Sequence, residues 1–477
     1  MNFKIIEITA QRALFFLLGL AFMLPGVTLA QAAADSHLTR IVVTSNHQHI
    51  AVAGNNSDGA GSASVMPPTA DMGTLPAATL CVDQLVESVL LRNQSIKSMR
   101  AAADTANARI ESADALGDPQ VSYAVAPNTA GGPGQGLNQN LQISQAFPWP
   151  GTLDLRSKAA AAESESAAQQ VADLRLRLAA RARADYAEWY YVHRALAINA
   201  ENLTLMMRLR EVAGAAYASG QSPQQDVLQA EVALIRLRNQ ALVLERLRHT
   251  VQAKINALQN LDPRTAVPAP ADLPAEIPLP EFAVLRDAAL ARYPMLQSLN
   301  AQITASQDRV DLAHKDGYPN FSLIAGYNSL MDAPDKRLTV GVGFNIPFGG
   351  NHRAEVNEAH ARMRKAESDL VDARTQLLSD LDQSYATAAQ AAETIRLYTQ
   401  HLLPLAKLNM DAAEADYSNG NGDFLKLITA EQQDLAAKLE LARSRADFFI
   451  QSAALDYRAG GALTHASAAN QIKDTTP

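Results

Sequence analysis

The sequence predicts a mainly α-helical protein with a small β part, in which two copies of one structural unit follow each other. The first observation is an internal repeat at an offset of 200 residues, which aligns without a gap. Identical residues occupy both positions of many pairs at this offset, of which the first members are 85, 90, 92, 98, 101, 109, 113, 117, 119 and 122. The other observations are two very long helical stretches and four short segments of alternating polarity. Duplication on this scale predicts two similar halves.

The long stretches run from Thr152 to Ser219 and from His352 to Asn419. At about 1.5 Å per residue the first is on the order of 100 Å long, which predicts a coiled-coil-like rod or tube. Shorter helices are predicted over Val82–Leu116, Pro223–Asn260 and Phe424–Arg458.

Glycine and proline residues end or interrupt these helices. Gly117 and Pro119 end the first helix, and the same stop recurs at Gly317 and Pro319. Pro404 predicts a kink or break in the second long stretch. Between the halves, residues 263–280 contain six prolines, which predicts an extended connector.

Two hairpins, residues 119–147 and 319–346, read as strands because apolar and polar residues alternate along them. The apolar positions are Val121, Tyr123, Val125, Leu141, Ile143, Phe147, Phe321, Leu323, Tyr327, Val340, Val342 and Phe344. Each segment has the length of a tilted strand that crosses a bilayer, and these positions are the predicted membrane strands. The alternative is two hairpins of a soluble protein, with one face on a core.

Four strands cannot close a membrane barrel, and an open sheet edge in lipid is unstable. If the strands span a membrane, several chains pool them, and three chains would supply twelve. Polar and small residues such as Gly341 and Gly343 would then line a water-filled lumen.

The N-terminus predicts export. Lys4 and Arg12 precede an apolar run from Ala13 to Leu24, so residues 1–31 are interpreted as a signal peptide, with a short N-terminal anchor as the alternative. Residues 32–78 form a low-complexity segment, and residues 462–477 a disordered tail. The remaining boundaries are a first repeat over 79–262, the connector over 263–280 and a second repeat over 281–461.

Isolated histidines and the single cysteine carry no specific chemistry. His37, His47 and His49 lie in the polar N-terminal segment, where solvated side chains are expected although metal binding is conceivable. Cys81 cannot form an intrachain disulfide and is expected to be half-buried.

Several functional classes are excluded. The net charge is −8 and no basic stripe with interleaved aromatics is present, which argues against nucleic-acid binding. No helical segment is apolar enough to span a membrane. The sequence contains no catalytic triad, phosphate-binding loop or zinc helix, so neither an enzyme nor a bound cofactor or metal is predicted.

From about residue 80 to 460 the chain resembles the TolC family of outer-membrane efflux factors. The resemblance rests on the order of motifs, doubled at a fixed offset: Gly-x-Pro strand entries, Pro-containing strand exits at 147–151 and 346–350, and helix-hairpin turns at 217–220 and 417–420. It implies a homotrimer with a twelve-strand β-barrel continuous with an α-helical tunnel. It also implies a periplasmic adaptor protein and an inner-membrane pump as partners.

Two details refine the resemblance. The exit Phe147-Pro148-Trp149-Pro150-Gly151 is similar to the heavy-metal branch, which serves pumps of the resistance-nodulation-division type. Lipid-anchored members carry a cysteine directly after the signal sequence, and this chain departs from that pattern.

The two hairpin turns are the predicted periplasmic aperture and adaptor-docking site. By resemblance this site comprises Ser219, Gly220, Ser222, Pro223, Asp226, Asn419, Gly420, Asp423 and Lys426. Ser222 and Gln225 fit a capping box with Pro223 at the first helical position, and Asp423 fits a helix N-cap.

Acidic rings hold this aperture shut in some relatives, but here the repeat places Lys426 opposite Asp226 and Thr429 where an acidic residue is common. We therefore expect a mixed gate, in which Asp226 and Lys426 pair across neighbouring helices.

The predicted function is a passive trimeric channel in the outer membrane of a Gram-negative bacterium, extending into the periplasm and exporting heavy-metal ions or drugs. One alternative is a periplasmic coiled-coil adaptor, which requires a lipoyl-like β-domain that the sequence lacks. The other is a barrel-anchored structural or adhesion rod.

Overall fold

A computed structural model describes residues 79–126, 138–274, 278–329, 337–347, 351–419 and 422–463. All of them belong to the unit Met72–Pro477, and the unit Met1–Asp71 lies outside the described residues. The predicted signal peptide, the low-complexity segment with its three histidines, Gly420 and residues 464–477 also lie outside them. Ala462 and Leu463, assigned to the disordered tail, instead pack against the cluster around Leu285.

The elements of the two halves follow each other at the predicted offset. The first half comprises α1 (Val82–Arg92), α2 (Gln94–Asp114), β1 (Gln120–Ala126), β2 (Asn138–Phe147), α3 (Thr152–Ala218) and α4 (Gln224–Leu258). The second comprises α5 (Phe282–Arg292), α6 (Pro294–Lys315), β3 (Asn320–Asn328), β4 (Leu338–Asn345), α7 (Asn351–Leu397), α8 (Leu403–Ser418) and α9 (Phe424–Arg458). Helices α1 and α5, and likewise α4 and α9, begin and end 200 residues apart, which confirms the predicted duplication.

Helix α3 is the centre of the packing. Its 67 residues match the predicted stretch from Thr152 to within one residue, and it packs against α1, α2, α4, α6 and α9. Fully buried alanines such as Ala182, Ala187 and Ala213 let neighbouring backbones approach it closely. Because α3 contacts helices of both repeats, the two copies share one core rather than forming separate domains.

The first helix of each repeat is broken, contrary to the single helix predicted over Val82–Leu116. Asn93 is extended (φ −64°, ψ 124°), its side chain accepts a hydrogen bond from Ser95 N at 2.9 Å, and its Nδ2 donates to the carbonyl of Leu258 at 2.9 Å. In the second repeat Tyr293 makes the same break because Pro294 disfavours a helical residue before it. An N-cap side chain in one copy and a proline in the other thus produce one geometry.

The predicted interruption near Pro404 takes the form of a widened turn. Residues Tyr398–Leu402 form one π-helical turn, and α8 then begins with Pro404 in its first turn. A proline in that position removes no required backbone donor. The long stretch therefore continues through the proline with its hydrogen-bonding pattern changed.

The described part of the proline-rich connector, residues 263–274 and 278–280, contains no helix, as predicted, and is held by side chains of α3 and α4. Trp189 Nε1 donates to the carbonyl of Pro268 at 2.9 Å, and the single proton of the Tyr186 hydroxyl is shared between the carbonyls of Leu80 (3.0 Å) and Ala271 (2.9 Å). From α4, Asn256 Nδ2 donates to the carbonyl of Thr265 at 2.8 Å. Because proline has no backbone N–H, the connector has more backbone acceptors than donors, and long polar side chains of the neighbouring helices supply the missing donors.

The four strands form one antiparallel sheet in the order β1-β2-β3-β4. The two hairpins are joined through β2 and β3, in a register that sets Phe147 opposite Phe321. The aromatic rings of these two residues stack with centroids 5.3 Å apart. The predicted strands are therefore confirmed, and both hairpins belong to the same sheet.

Cys81 departs from its expected environment. It is exposed and precedes α1, with its backbone N–H donating to Gln84 Oε1 at 3.3 Å. A residue at a helix start on the surface has few neighbours to bury it, so the half-buried position expected for Cys81 was wrong.

Candidate functional site

One face of the sheet is apolar across all four strands. Residues opposite each other in an antiparallel pair share a face, so the register defines rows. These rows are Val121-Ile143-Ala325-Val340, Tyr123-Leu141-Tyr327-Leu338, Phe147-Phe321-Phe344 and Gln145-Leu323-Val342. Many of these side chains are exposed, and Val340 retains 80% of its accessible surface. The face includes every predicted membrane position, because Val125 lies on the same side of β1 as Val121 and Tyr123 and pairs with Gln139 of β2.

The opposite face carries small and polar residues. Its rows include Ser122-Gln142-Gly326-Thr339 and Ala146-Ser322-Gly343. A Cβ at Gly343 would lie 2.7 Å from Ser322 Oγ, so glycine is required there by the neighbouring strand. The sheet therefore separates an apolar from a polar surface, as alternation predicts.

Aromatic and basic side chains meet where the strands join the helices. The rings of Trp149 and Tyr318 stack with centroids 5.2 Å apart, and Lys315 Nζ lies 5.8 Å from the Tyr318 centroid. The backbone N–H of Trp149 donates to Asn320 Oδ1 at 3.0 Å, which ties the exit of β2 to the entry of β3. Such amphipathic groups are typical of a boundary between lipid and water.

The hairpin turns at the other end of the long helices have closely similar geometry in the two repeats. Ser219 (φ −88°, ψ 1°) ends α3, and Asn419 (φ −85°, ψ 1°) ends α8. Gly220 follows with φ of +72°, a conformation that glycine adopts without strain.

The helices that follow the two turns begin differently. Asp423 caps α9, because its Oδ1 accepts from Leu425 N at 3.0 Å, as predicted. The capping box predicted on Ser222 and Gln225 was wrong, since α4 begins at Gln224 with Pro223 as the N-cap residue. Proline has no side-chain acceptor, and its extended backbone moves Ser222 one residue away from the first turn.

Asp226 lies inside the hairpin pair rather than on its surface. Burial raises the pKa of its carboxyl, the nearby Asp423 carboxylate adds to this, and the Tyr417 hydroxyl beside it acts in the opposite direction. The Tyr417 ring contacts Phe424 at 5.1 Å between centroids. The carboxyl of Asp226, at the start of α4, thus lies close to Tyr417 at the end of α8, although the Tyr417 hydroxyl has no hydrogen-bond partner among the described residues.

Lys426, at the position equivalent to Asp226, is exposed to solvent. Within the described residues of one chain no ion pair joins it to Asp226. The two repeats therefore place different charges in different environments at this end, and the pairing of Asp226 with Lys426 across neighbouring helices stays a prediction.

Two buried acids on α9 were not singled out from the sequence. Glu431 and Asp434 are 2% and 1% exposed, and Asp434 Oδ2 lies 2.6 Å from Lys438 Nζ. Burial, and next the Asp434 charge, raise the pKa of Glu431 to about 7, against the effect of Lys438. The sequence did indicate that Glu431 is buried, because it follows the buried Leu427 by four residues and therefore lies on the same face of the helix.

Replacing Glu431 with glutamine is expected to stabilise the protein above pH 7, by about 2–3 kcal/mol. The folded state holds this proton more tightly than the unfolded chain, whose ordinary pKa is 4.5, so stability falls as pH rises from 4.5 to about 7 and stays low above it. Thermal unfolding of purified protein at pH 5 and pH 8 measures the difference.

The matched control is Glu231→Gln at the equivalent position of the first repeat. That side chain is 51% exposed, and Arg210 Nε lies 4.0 Å from its carboxylate. Glu231→Gln should give no gain in stability that depends on pH. An equal change for Glu431→Gln at both pH values would show that the buried carboxyl does not titrate as proposed.

The described part of the chain has no helix that combines the length and the hydrophobicity of a transmembrane segment. It contains no group of three or more His, Cys, Asp or Glu side chains placed to hold a metal ion.

The geometry of the chain is thus an exposed apolar sheet face joined to very long helices. Residues 285–461, most of the second repeat, match the family model described as outer membrane efflux protein. The resemblance to the TolC family is thereby confirmed.

Individual relatives agree with this assignment. The chain is 27% identical over 209 residues to the alkaline protease secretion protein AprF of Pseudomonas aeruginosa. The match covers 41% of this chain and 43% of AprF, so it spans less than half the length of that relative.

Solved structures share the fold over most of their length. The outer-membrane channel OprN has a TM-score of 0.71 at 20% identity, over 80% of this chain and 90% of OprN. VceC from Vibrio cholerae has a TM-score of 0.69 at 18% identity, over 80% and 96%. CusC has a TM-score of 0.70 at 16% identity, over 80% and 92%. The fold is therefore that of the TolC-like outer-membrane channels.

Proposed function

We propose that three copies of this chain form an outer-membrane channel that passively conducts substrates from an inner-membrane pump to the cell exterior. The sheet carries the proposal. Its apolar face suits lipid and its polar face suits water, while β1 and β4 each pair on one side only within the described residues. Unpaired edges are unstable in lipid, and three copies that pair β4 with β1 would close a twelve-strand barrel.

The helices offer a second interface between copies. Along the helices α4 packs on α3, α3 on α9 and α9 on α8, so α4 and α8 form opposite edges except at the turns, where Asp226 lies near Tyr417. Both edge helices expose apolar residues at helical spacing, which on α4 are Leu228, Val232, Ile235 and Leu242, and on α8 are Leu405 and Leu408. A head-to-tail contact between these edges closes a ring of three.

The remaining assignments follow from the family. The protein would lie in the outer membrane of a Gram-negative bacterium and extend into the periplasm. The hairpin turns with Ser219, Gly220, Ser222, Pro223, Asn419, Gly420 and Asp423 would meet a periplasmic adaptor, and the pump would be of the resistance-nodulation-division type. A channel of this kind contributes no chemistry, so the pump supplies the energy.

The substrate class depends on which relative is the better guide. The strand exit at Phe147, which is similar to the heavy-metal branch of the family, favours metal ions or drugs, as predicted from the sequence. The sequence match to AprF, named for the secretion of a protease, favours an exported protein instead. Sensitivity of a deletion strain to metals and drugs, compared with its secreted proteins, separates the two.

Purification from membranes in detergent tests the function. We expect a heat-sensitive trimer on electrophoresis and stable channel conductance in planar bilayers. A monomer that needs no detergent, or a trimer without conductance, would exclude the channel.

We further propose that Asp226 and Tyr417 hold the periplasmic end closed within each chain. Tyr417→Phe and Asp226→Ala are then expected to raise single-channel conductance severalfold, because the connection between α4 and α8 is lost. The mixed gate, in which Asp226 and Lys426 pair across neighbouring helices, requires that Lys426→Ala raises the conductance as well.

Tyr217→Phe is the control, because Tyr217 is the equivalent residue of the first repeat and is 48% exposed. It should leave conductance unchanged. If conductance is also unchanged in Tyr417→Phe and Asp226→Ala, the closed end is held by other contacts.

A further inference from the structure

Two histidines from different helices contact each other near the junction of helices and sheet. His314 lies in the last turn of α6 and His360 lies near the start of α7. Their ring centroids are 5.9 Å apart, and their planes are inclined at 72°. Nothing in the proposed conduction path uses either side chain.

The packing of α6 on α7 fixes the separation of these rings. Val310, one turn before His314, and Ala359, next to His360, are buried at 4% and 8% exposure. His314 itself is exposed and His360 is half-buried, so solutes can reach both rings. The helix packing therefore holds the two histidine positions close together, which lowers the entropic cost of binding one ligand to both.

The ring separation suits one shared cation. With metal–nitrogen distances of about 2.0–2.1 Å, and each nitrogen about 1.1 Å from its ring centre, two imidazoles on one metal have centroids roughly 5–6 Å apart. The observed 5.9 Å lies within that range. Asp311, one turn before His314, adds negative charge on the same side of the helix, while Lys315 extends over the Tyr318 ring.

The duplication shows that the fold does not require these histidines. The equivalent residues of the first repeat are Asp114 and Ala160. The first repeat forms the corresponding helices without an imidazole at either position. The pair in the second repeat is thus an addition to a common scaffold.

We propose that His314 and His360 form a binding site for a divalent first-row transition-metal ion such as Cu²⁺ or Zn²⁺. Imidazole nitrogen is a preferred ligand of these ions. Two protein ligands leave the other coordination positions to water, which gives an exchangeable ion rather than a permanently held structural one. A metal bridging α6 and α7 also links the two helices directly below the sheet.

The test uses the full-length protein, purified in detergent without a histidine tag. His37, His47 and His49 are replaced by alanine in the parent protein, so that the N-terminal segment contributes no ligands. Titration with CuCl₂ or ZnCl₂, followed by calorimetry, should give one metal ion per chain. His314→Ala and His360→Ala should each abolish that stoichiometric binding, while His249→Ala, which removes an exposed histidine on α4, should keep it.

Electron paramagnetic resonance of the Cu²⁺ complex provides an independent readout. Coupling to two imidazole nitrogens is expected in the parent and is lost in either single variant. Binding of no metal by the parent, or undiminished binding by either variant, overturns the proposal. Equal thermal unfolding of all metal-free proteins confirms that the variants are folded.

Discussion

Replacing Val340 with lysine is expected to abolish assembly of the trimer in the outer membrane. Val340 is in the central part of β4 and is the most exposed apolar residue of the sheet, at 80%. A lysine on the lipid-facing side of a membrane barrel costs about 2–4 kcal/mol at the bilayer midplane, and a trimer would carry three. The measurement is the amount of heat-sensitive trimer in isolated outer membranes.

Thr339→Lys is the matched control. Thr339 is adjacent in sequence but belongs to the polar row with Ser122 and Gln142, which we propose faces the lumen. It loses only the weak contact of its hydroxyl with the Gly326 carbonyl at 3.2 Å. We expect near-normal trimer for Thr339→Lys and an altered conductance. Equal loss for both variants would mean that the two faces do not separate lipid from water.

Replacing Trp189 with alanine is expected to destabilise the protein by about 3–5 kcal/mol, because it empties a large buried volume. Trp189 is 1% exposed and packs in the cluster of Leu85, Val89, Val251 and Ile255. It also donates the hydrogen bond that holds the connector at Pro268. Thermal unfolding measures the loss, and limited proteolysis within residues 263–274 reports release of the connector.

Trp189→Phe separates the two contributions. It retains most of the apolar volume and removes the indole donor, so a loss of about 1–2 kcal/mol is expected. If Trp189→Ala loses less than about 1–2 kcal/mol, neither the connector nor the cluster depends on this side chain. If Trp189→Ala keeps the full thermal stability but its connector is cleaved rapidly, the side chain stabilises the connector alone.

Local signals in the sequence predicted the elements well. The duplicated Gly-x-Pro stops, the alternation around Tyr123 and Phe344, and the unbroken helical composition after Thr152 all act over a few residues. Such patterns are sufficient because backbone propensity and periodicity are local properties. The N-cap at Asp423 belongs to the same group, since the aspartate and the helix it caps are adjacent.

Several differences from the prediction involve residues far apart in sequence. The break at Asn93 includes a hydrogen bond to the carbonyl of Leu258. Asp226 lies beside Tyr417, and neither contact leaves a periodic signal in the sequence. Glu431 is buried by the helices packed around α9 and does follow a periodic stripe.

By itself the sequence determined the duplication, the order of the helices and strands, and the family to which the chain is similar. It also determined which sheet positions are apolar, since alternation assigns every second residue to one face. Only the tertiary structure decided how the hairpins join through β2 and β3, and which of two equivalent acids is buried. Glu231 and Glu431 occupy the same repeat position, yet one contacts solvent and the other the core, because burial is a property of neighbours and not of the residue.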